Sequence, residues 1–285
     1  MDCSPWRCLL ALVVTLCVAS FEVVEADGWT AEFSGADTKQ NSAGFAVGDG
    51  RYVVSVALSG VNAEEGRLSF DGRELPADVF LDPISRLVVF RVTGPPAQTI
   101  QWSSAPDLKS GTRFKCPSGG QGSVDGWVKK IDGKILPLAL IKVTYGKSVP
   151  PPGSALTDIS GGLIAVAHQA TGKNTGYALP IQVVKRVMDD IQRGGKVSRG
   201  WIGLKLRPGL AVPKVTHVQK GSPCEEAGVQ AGDVLLEVGD RHLNDYADAA
   251  NAFYYLRPGA PTSMRVRRGN QEMQISITPG EYRSK

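Results

Sequence analysis

The residue pattern predicts a mostly-β chain in two halves, and three observations predict it. The 285 residues carry 33 glycines and 18 prolines, placed as turn signals between short runs of alternating apolar and polar residues. Helix signals are confined to three stretches, around Ile181–Ile191, Ser222–Gly228 and Asp245–Leu256. The length suits two domains at roughly 100 to 200 residues each, and the character of the chain changes at Arg199-Gly200-Trp201-Ile202-Gly203-Leu204.

Composition removes several function classes. A hydrophobic fraction of 42% with 21% charged residues is that of an ordinary globular protein. The net charge is only +4 and no Lys/Arg run or basic-aromatic stripe occurs, so no nucleic-acid footprint is expected. Arg7 precedes an apolar run from Cys8 to Ala19, broken at Ser20 and Glu22. That is the layout of a secretory signal peptide over residues 1–26, with cleavage after Ser20 or Ala26. A membrane span needs about 20 apolar residues, and this run is shorter, so the expectation is an exported, non-spanning protein, periplasmic or extracellular. Leu16 before Cys17 does not fit a lipoprotein signal.

Of the five cysteines, Cys3, Cys8 and Cys17 fall in that peptide, which leaves Cys116 and Cys224, one in each half. An oxidising compartment permits a disulfide, but two separate thiols is the expected state. His168, His217 and His242 stand apart from one another, and no Cys/His ligand spacing exists, so no metal or cofactor is expected.

Along the first half, Asp27 to Asn41 reads as an irregular lead. Gly44–Val47 and Tyr52–Leu58 read as strands around the turn Gly48-Asp49-Gly50. Arg67–Phe70 and Leu75–Phe80 flank Asp71-Gly72, a strong hairpin signal. Leu87–Val92 is an almost wholly apolar strand, and further strands are expected at Ala155–Ile159, Leu163–Ala167 and Gly176–Pro180. Many short strands suggest a sandwich or barrel. Ile181, Val184, Val187, Met188 and Ile191 recur at helical spacing, with Lys185, Arg186, Asp189 and Asp190 assigned to the opposite face and Gly194-Gly195 as the stop.

In the second half, Ser222-Pro223-Cys224-Glu225 is a capping box with proline at the first helical position, and Gly228 ends that short helix. Val234–Val238 is a strand. A second helix from Asp245 to Leu256 has an apolar face of Ala249, Ala252, Phe253 and Leu256, and Arg257-Pro258-Gly259 terminates it. Met264–Arg267 and Met273–Ile277 alternate as strands around Gly269-Asn270.

The segments GFAVGDGRYVVSVALSG, SFDGRELPADVFLDPISRLVVFRV and VTHVQKGSPCEEAGVQAGDVLLEVGDRHL resemble the HtrA/Deg family of exported serine proteases. The resemblance implies a trypsin-like double β-barrel at 27–198 followed by a PDZ domain at 199–282, a partly open five- to six-stranded sheet with two helices. It also implies where a catalytic triad belongs, and this chain departs from the pattern at each place. Leu58 stands in the histidine's place within Ser55-Val56-Ala57-Leu58, and Arg86 in the orienting aspartate's place within Asp82-Pro83-Ile84-Ser85-Arg86. Aligned without gaps, the nucleophile falls on Pro152, and a slipped register puts it on Ser154. Proline has no N–H, so the oxyanion donors at Pro150 and Pro152 would be lost as well; one donor is worth about 100- to 1,000-fold in rate. Ser160-Gly161-Gly162 looks like a nucleophile loop, but the strand count around it assigns Ser160 to a hairpin turn.

In the PDZ segment the resemblance implies that Trp201-Ile202-Gly203-Leu204 holds a peptide's terminal carboxylate with backbone N–H groups. Lys205 and Leu206 would pair with the peptide as an added strand, and Ala252 and Phe253 would line the side-chain pocket. The competing role for Trp201 and Ile202 is packing of the interdomain joint. The expectation is therefore a non-catalytic, exported pseudoprotease that binds protein or peptide C-termini or exposed apolar segments, with the barrels as scaffold. The alternatives are an active endopeptidase with an atypical site, and a structural subunit. Trimerisation with its own copies or with an active homologue would use Trp29 and Phe33, residues matched on type alone.

Overall fold

The computed structural model describes residues 28–104, 108–116, 120–207 and 211–282. The signal-peptide reading lies outside them. Among the described residues no helix is long and apolar enough to cross a membrane.

The first half packs two four-stranded antiparallel sheets face to face. Strands β1 (Trp29–Ser34), β2 (Lys39–Ala43), β5 (Arg67–Phe70) and β6 (Arg73–Leu75) form one, in the order β2-β1-β5-β6. Strands β3 (Phe45–Val47), β4 (Tyr52–Val56), β7 (Ala77–Leu81) and β8 (Leu87–Val92) form the other, in the order β3-β4-β8-β7. The lead expected to be irregular is thus two paired strands. The reason is period-two burial in β1: Trp29, Ala31 and Phe33 turn inward, and Phe33 lies 6.2 Å from the Phe90 ring. Trp29 and Phe33 are 6% and 0% exposed, so these two side chains are core and are not available as an assembly surface. The Asp71-Gly72 hairpin forms as expected, both residues at positive φ (48° and 78°) as the two-residue turn requires. The strand expected at 75–80 is instead split at Pro76, so that β6 and β7 serve different sheets.

The rest of this first domain is a closed six-stranded barrel in the order β10-β11-β14-β13-β12-β9. Its strands are β9 (Arg113–Cys116), β10 (Gly120–Ile131), β11 (Lys134–Tyr145), β12 (Ala155–Thr157), β13 (Leu163–Ala170) and β14 (Thr175–Pro180). The long β10–β11 hairpin, turning at Asp132-Gly133, projects from it. Helix α1 (Ile181–Gly194) follows β14 and stops at Gly195, which takes the left-handed conformation (φ 66°) and donates its N–H to the Ile191 carbonyl. Its apolar stripe seals the core formed where the two halves meet, with Leu87, Val89, Leu163 and Leu179. Arg186 and Asp190, assigned to the solvent face by periodicity, are 2% and 7% exposed instead. They pair at 3.4 Å one helical turn apart, and the next domain covers them.

That domain has its own core, built on Ile202, Val215, Cys224, Leu235, Met264 and Val266. Strands β15 (Gly200–Trp201) and β22 (Gly280–Glu281) pair its two ends, and β16 (Leu204–Leu206) pairs with β17 (Val215–Val218). Strands β18 (Val234–Val238), β19 (Arg241–His242), β20 (Thr262–Arg268) and β21 (Gln271–Ile277) form a four-stranded sheet. Helix α2 (Pro223–Glu226) carries the expected capping box. The Ser222 Oγ accepts from the Glu225 N–H at 3.2 Å, and Glu225 reaches back to the Gly221 N–H at 2.6 Å, a cap worth about 1 kcal/mol. Helix α3 (Tyr246–Tyr254) is capped in the same way by Asp245. Cys116 and Cys224 are both buried and unbridged, and burial pushes the Cys224 thiol up to about 12, so neither is a thiolate poised for chemistry.

Candidate functional site

Two regions bear on chemistry: the positions a trypsin-like triad would occupy, and the loop that opens the second domain. Strand β4 delivers Leu58 just past its end, half-buried against the shared core. Its N–H donates to the Gln40 Oε1 at 2.8 Å, so the backbone there is held, but the side chain offers no atom that can accept a proton. Arg86 sits at φ 59°, a left-handed conformation that disfavours a non-glycine residue, and is kept there by its N–H bond to the Asp82 carbonyl at 2.8 Å. Its guanidinium donates to three carbonyls of the chain after β4: Ala57 at 2.8 Å, Leu58 at 3.2 Å and Val61 at 2.9 Å. A carboxylate would accept from a base at this position. An arginine can only donate, and here it staples a loop. The same side chain borders an open cavity of about 630 Å³ with the loops carrying Ser34–Ala36 and Ser59–Asn62; neither Pro152 nor the second domain reaches it.

The segment Pro150–Ser154 is poor in free backbone donors. Three of its five residues are prolines without N–H groups. The remaining two donors turn inward, Gly153 to the Ala167 carbonyl at 2.8 Å and Ser154 to the Pro151 carbonyl at 3.2 Å. Gly153 has φ 85°, and a Cβ there would lie 2.2 Å from the Ala43 carbonyl oxygen, so the loop is pressed onto β2. The Ser154 hydroxyl, 2% exposed, donates to the Pro151 carbonyl at 2.8 Å. Ser160 lies in the β12–β13 turn, where Asp158 accepts from the Ser160 and Gly162 N–H groups at 2.8 and 3.0 Å. It is a turn residue, as the strand count requires.

His168 is isolated in sequence but not in the fold. It ends the inner part of β13 beside the Asp82–Arg86 turn, in a hydrogen bond with the Ser85 backbone, and its Nδ1 is buried with no partner among the described residues. Burial, with the Arg86 charge adding to it, pulls its pKa down to about 4, so the ring is neutral at pH 7. The Ser154 backbone accepts from the N–H of Ala167, the neighbour of His168, but its hydroxyl is engaged by the Pro151 carbonyl, and Ser160 is an exposed turn residue.

In the second domain, Trp201 pairs with Gly280 and Ile202 enters the domain's own core at 5% exposure. Ile202 is absent from the cluster that joins the domains, to which this domain contributes Tyr254 and Tyr255. The Ile202 carbonyl accepts from the Cys224 N–H at 3.1 Å and the Gly203 carbonyl from the Gln219 N–H at 2.7 Å. With both carbonyls turned into the domain, the chain between them is an arch. Among the described hydrogen bonds neither the Ile202 nor the Gly203 N–H is a donor. Gly203 is at φ 75°, and a Cβ on it would come within 2.1 Å of the Ser222 Cβ and 3.0 Å of the Trp201 ring. Glycine is thus required twice, by conformation and by space.

Strand β16 follows, with β17 on one side and no described strand on the other. Lys205 is exposed, Leu204 and Leu206 are half-buried, and they pack with the half-buried Phe253 against the cluster that contains Ile202 and Ala252. Ala252 itself is 2% exposed and belongs to the core, so of the two expected pocket residues only Phe253 reaches the surface. His217 and His242 are both exposed, on β17 and β19, with His242 Nδ1 2.6 Å from Glu237. Chemically, this end of the molecule can add a strand along β16 and accept an anion at the arch. Among the described residues no group of His, Cys, Asp and Glu is placed to hold a metal ion.

Comparison with known proteins agrees with this layout. Residues 200–278 match the PDZ domain family model. Over 265 residues the chain is 25% identical to a DegP-like periplasmic serine endoprotease of Halomonas elongata, covering 84% of this chain and 56% of that protein. A DegP-like relative from Pseudomonas fluorescens is 25% identical over 235 residues, 74% of this chain and 49% of the relative. The chain spans about half the length of the curated relatives it matches. Among solved structures, the HtrA-type protease AlgW with decapeptide superposes with a TM-score of 0.64 at 19% identity, over 92% of this chain and 97% of that one. A serine endoprotease from Yersinia pestis does so with a TM-score of 0.58 at 21% identity, over 91% and 96%. A PDZ match at 200–278, relatives aligned across both halves and a shared fold together support an HtrA/Deg-like family, with a mostly-β fold resembling HtrA proteases and a C-terminal PDZ domain.

Proposed function

We propose that this chain is an exported, non-catalytic HtrA-like protein that binds apolar C-terminal or exposed peptide segments through its PDZ domain, with the barrels as scaffold. The observation that carries the non-catalytic half is the Pro150–Ser154 segment, where every N–H is either missing or spent inside the fold. Acyl transfer needs a nucleophile, a base, an orienting group and oxyanion donors together. Leu58 and Arg86 supply neither base nor carboxylate, and the Ser154 hydroxyl is buried against Pro151.

The binding half rests on the arch at Ile202-Gly203 and the open edge of β16. A peptide laid along β16 would have its backbone groups satisfied by the strand, and its carboxylate would meet two N–H groups that have no partner among the described residues. Its last side chain would lie by Leu204, Leu206 and Phe253, which favours an apolar residue. The HtrA-type protease AlgW, which shares this fold, has been solved with a decapeptide and with a tripeptide, which supports a peptide ligand here. A titration of the chain with an apolar-ended peptide, offered as free acid and as C-terminal amide, tests the reading.

A further inference from the structure

Tyr254 belongs to the PDZ domain by sequence and to the barrels by packing. It is the last residue of α3, yet its side chain, 5% exposed, lies in the core cluster of Leu87, Val89, Leu179 and Val184, apart from the PDZ core. Its hydroxyl donates to Asp82 Oδ2 at 2.7 Å. Asp82 is fully buried, and the same oxygen accepts from the Ser85 hydroxyl at 2.6 Å and the Ser85 N–H at 3.2 Å, while Oδ1 accepts from Ile84 at 3.3 Å. The phenol pKa is raised by burial first and then by the Asp82 charge, so the hydroxyl keeps its proton and remains the donor.

The other face of the ring meets α1. The Arg186 guanidinium stands 4.6 Å from the ring centroid, pairs with Asp190 and donates to the Ser198 carbonyl at 2.5 Å. Its Nε and Nη1 are buried without a hydrogen-bond partner among the described residues. A buried cation is costly unless it is offset, and the tyrosine face together with Asp190 supplies the offset. Around this plug, α3 is tied to the β10–β11 hairpin by the Ala139 N–H donating to Asn251 Oδ1 at 3.0 Å and by an ion pair of Lys129 with Asp248. Arg257, just past α3, pairs with Asp189 of α1.

We propose that the Asp82–Arg86 turn, the segment that the family pattern reserves for the triad's orienting carboxylate, serves in this chain as a docking socket for its own PDZ domain. Tyr254 is the plug, and Asp82 and Arg186 are the two walls. Domains joined by a linker move relative to one another by default unless the contact between them is extensive and apolar. Here a buried tyrosine bridges a buried carboxylate and a buried guanidinium, so the PDZ domain is held on the barrels as one body. This inference does not depend on the peptide-binding reading.

Amide hydrogen exchange on the full chain, with Tyr254→Ala and Tyr254→Phe, tests it. In the wild-type chain the Ile84–Leu87 amides exchange as slowly as core strands. Tyr254→Ala speeds exchange at 82–87 and at Ala139 by tenfold or more while β18 and β20 of the PDZ core are unchanged, and Tyr254→Phe produces a smaller increase at 82–87. Unchanged exchange at 82–87 in Tyr254→Ala overturns the proposal. Limited proteolysis of the wild-type chain gives a reading that needs no variant: the linker at 195–199 resists cleavage. Ready release of two folded fragments from the wild type overturns the proposal equally.

Discussion

Replacing His168 by glutamine should flatten part of the acid sensitivity of this fold. The wild-type imidazole is held neutral because β13 carries it against the Asp82–Arg86 turn, where its Nδ1 is sealed from water and Arg86 stands nearby. Its folded pKa of about 4 lies below the ordinary 6.5. The unfolded chain therefore takes up a proton first as the pH falls. The stabilisation from the neutral ring is complete above about pH 6.5 and is lost between about 6.5 and 4, below which both states are protonated. The shift corresponds to about 3 kcal/mol at 1.36 kcal/mol per pH unit. Urea midpoints measured from pH 7 to pH 4 on both chains report it, because carboxylates titrating in the same window cancel in the difference. The wild-type chain should lose about 3 kcal/mol more than His168→Gln across that range. Parallel curves would show that the imidazole reaches solvent and that its placement is wrong.

Gly203→Val should destabilise the PDZ domain by at least about 2 kcal/mol, since it forces a β-branched residue to φ 75° and drives a Cβ into Ser222, the cap of α2. An unshifted thermal midpoint would show that the arch tolerates a side chain at that position. The purified chain should neither cleave unfolded casein nor take up an organophosphonate, and Leu58→His should not change this because Pro150–Ser154 still offers no oxyanion donor. An adduct on Ser154 or Ser160 that disappears on mutation to alanine would refute the non-catalytic reading.

Legibility in the sequence followed how local each signal is. Strand β8, the Asp71-Gly72 hairpin, α1 with its Gly195 stop and the Ser222 capping box were all readable, because a few adjacent residues fix each of them. The lead was misread because β2 is polar (KQNSA) and its partner β1 is short, although inward Trp29, Ala31 and Phe33 were a usable alternation. The β10–β11 hairpin had no reading: β10 is Gly-rich and largely polar, whereas β11, with Leu138, Ile141, Val143 and Tyr145 buried, was a usable apolar run. Arg186 and Asp190 defeated periodicity for a different reason. A helix wheel distinguishes polar from apolar, and here a second domain covers the polar side of α1. At the site, residue types could be matched position by position. What Arg86 does with its guanidinium, and where the Gly153 and Ser154 N–H groups go, depends on strands far away in sequence.

Whether the PDZ domain is the working part of this chain is decided by the affinity ratio of a free-acid peptide to its C-terminal amide. Hydrogen bonds from N–H groups to a charged acceptor contribute about 1.5–3 kcal/mol, against about 0.5–1.5 for neutral ones. With the carboxylate at the Ile202-Gly203 arch, the free acid should bind about tenfold or more tightly at equal ionic strength. Equal affinities would remove the carboxylate from the arch, and absence of binding by both forms would contradict the peptide-binding function altogether.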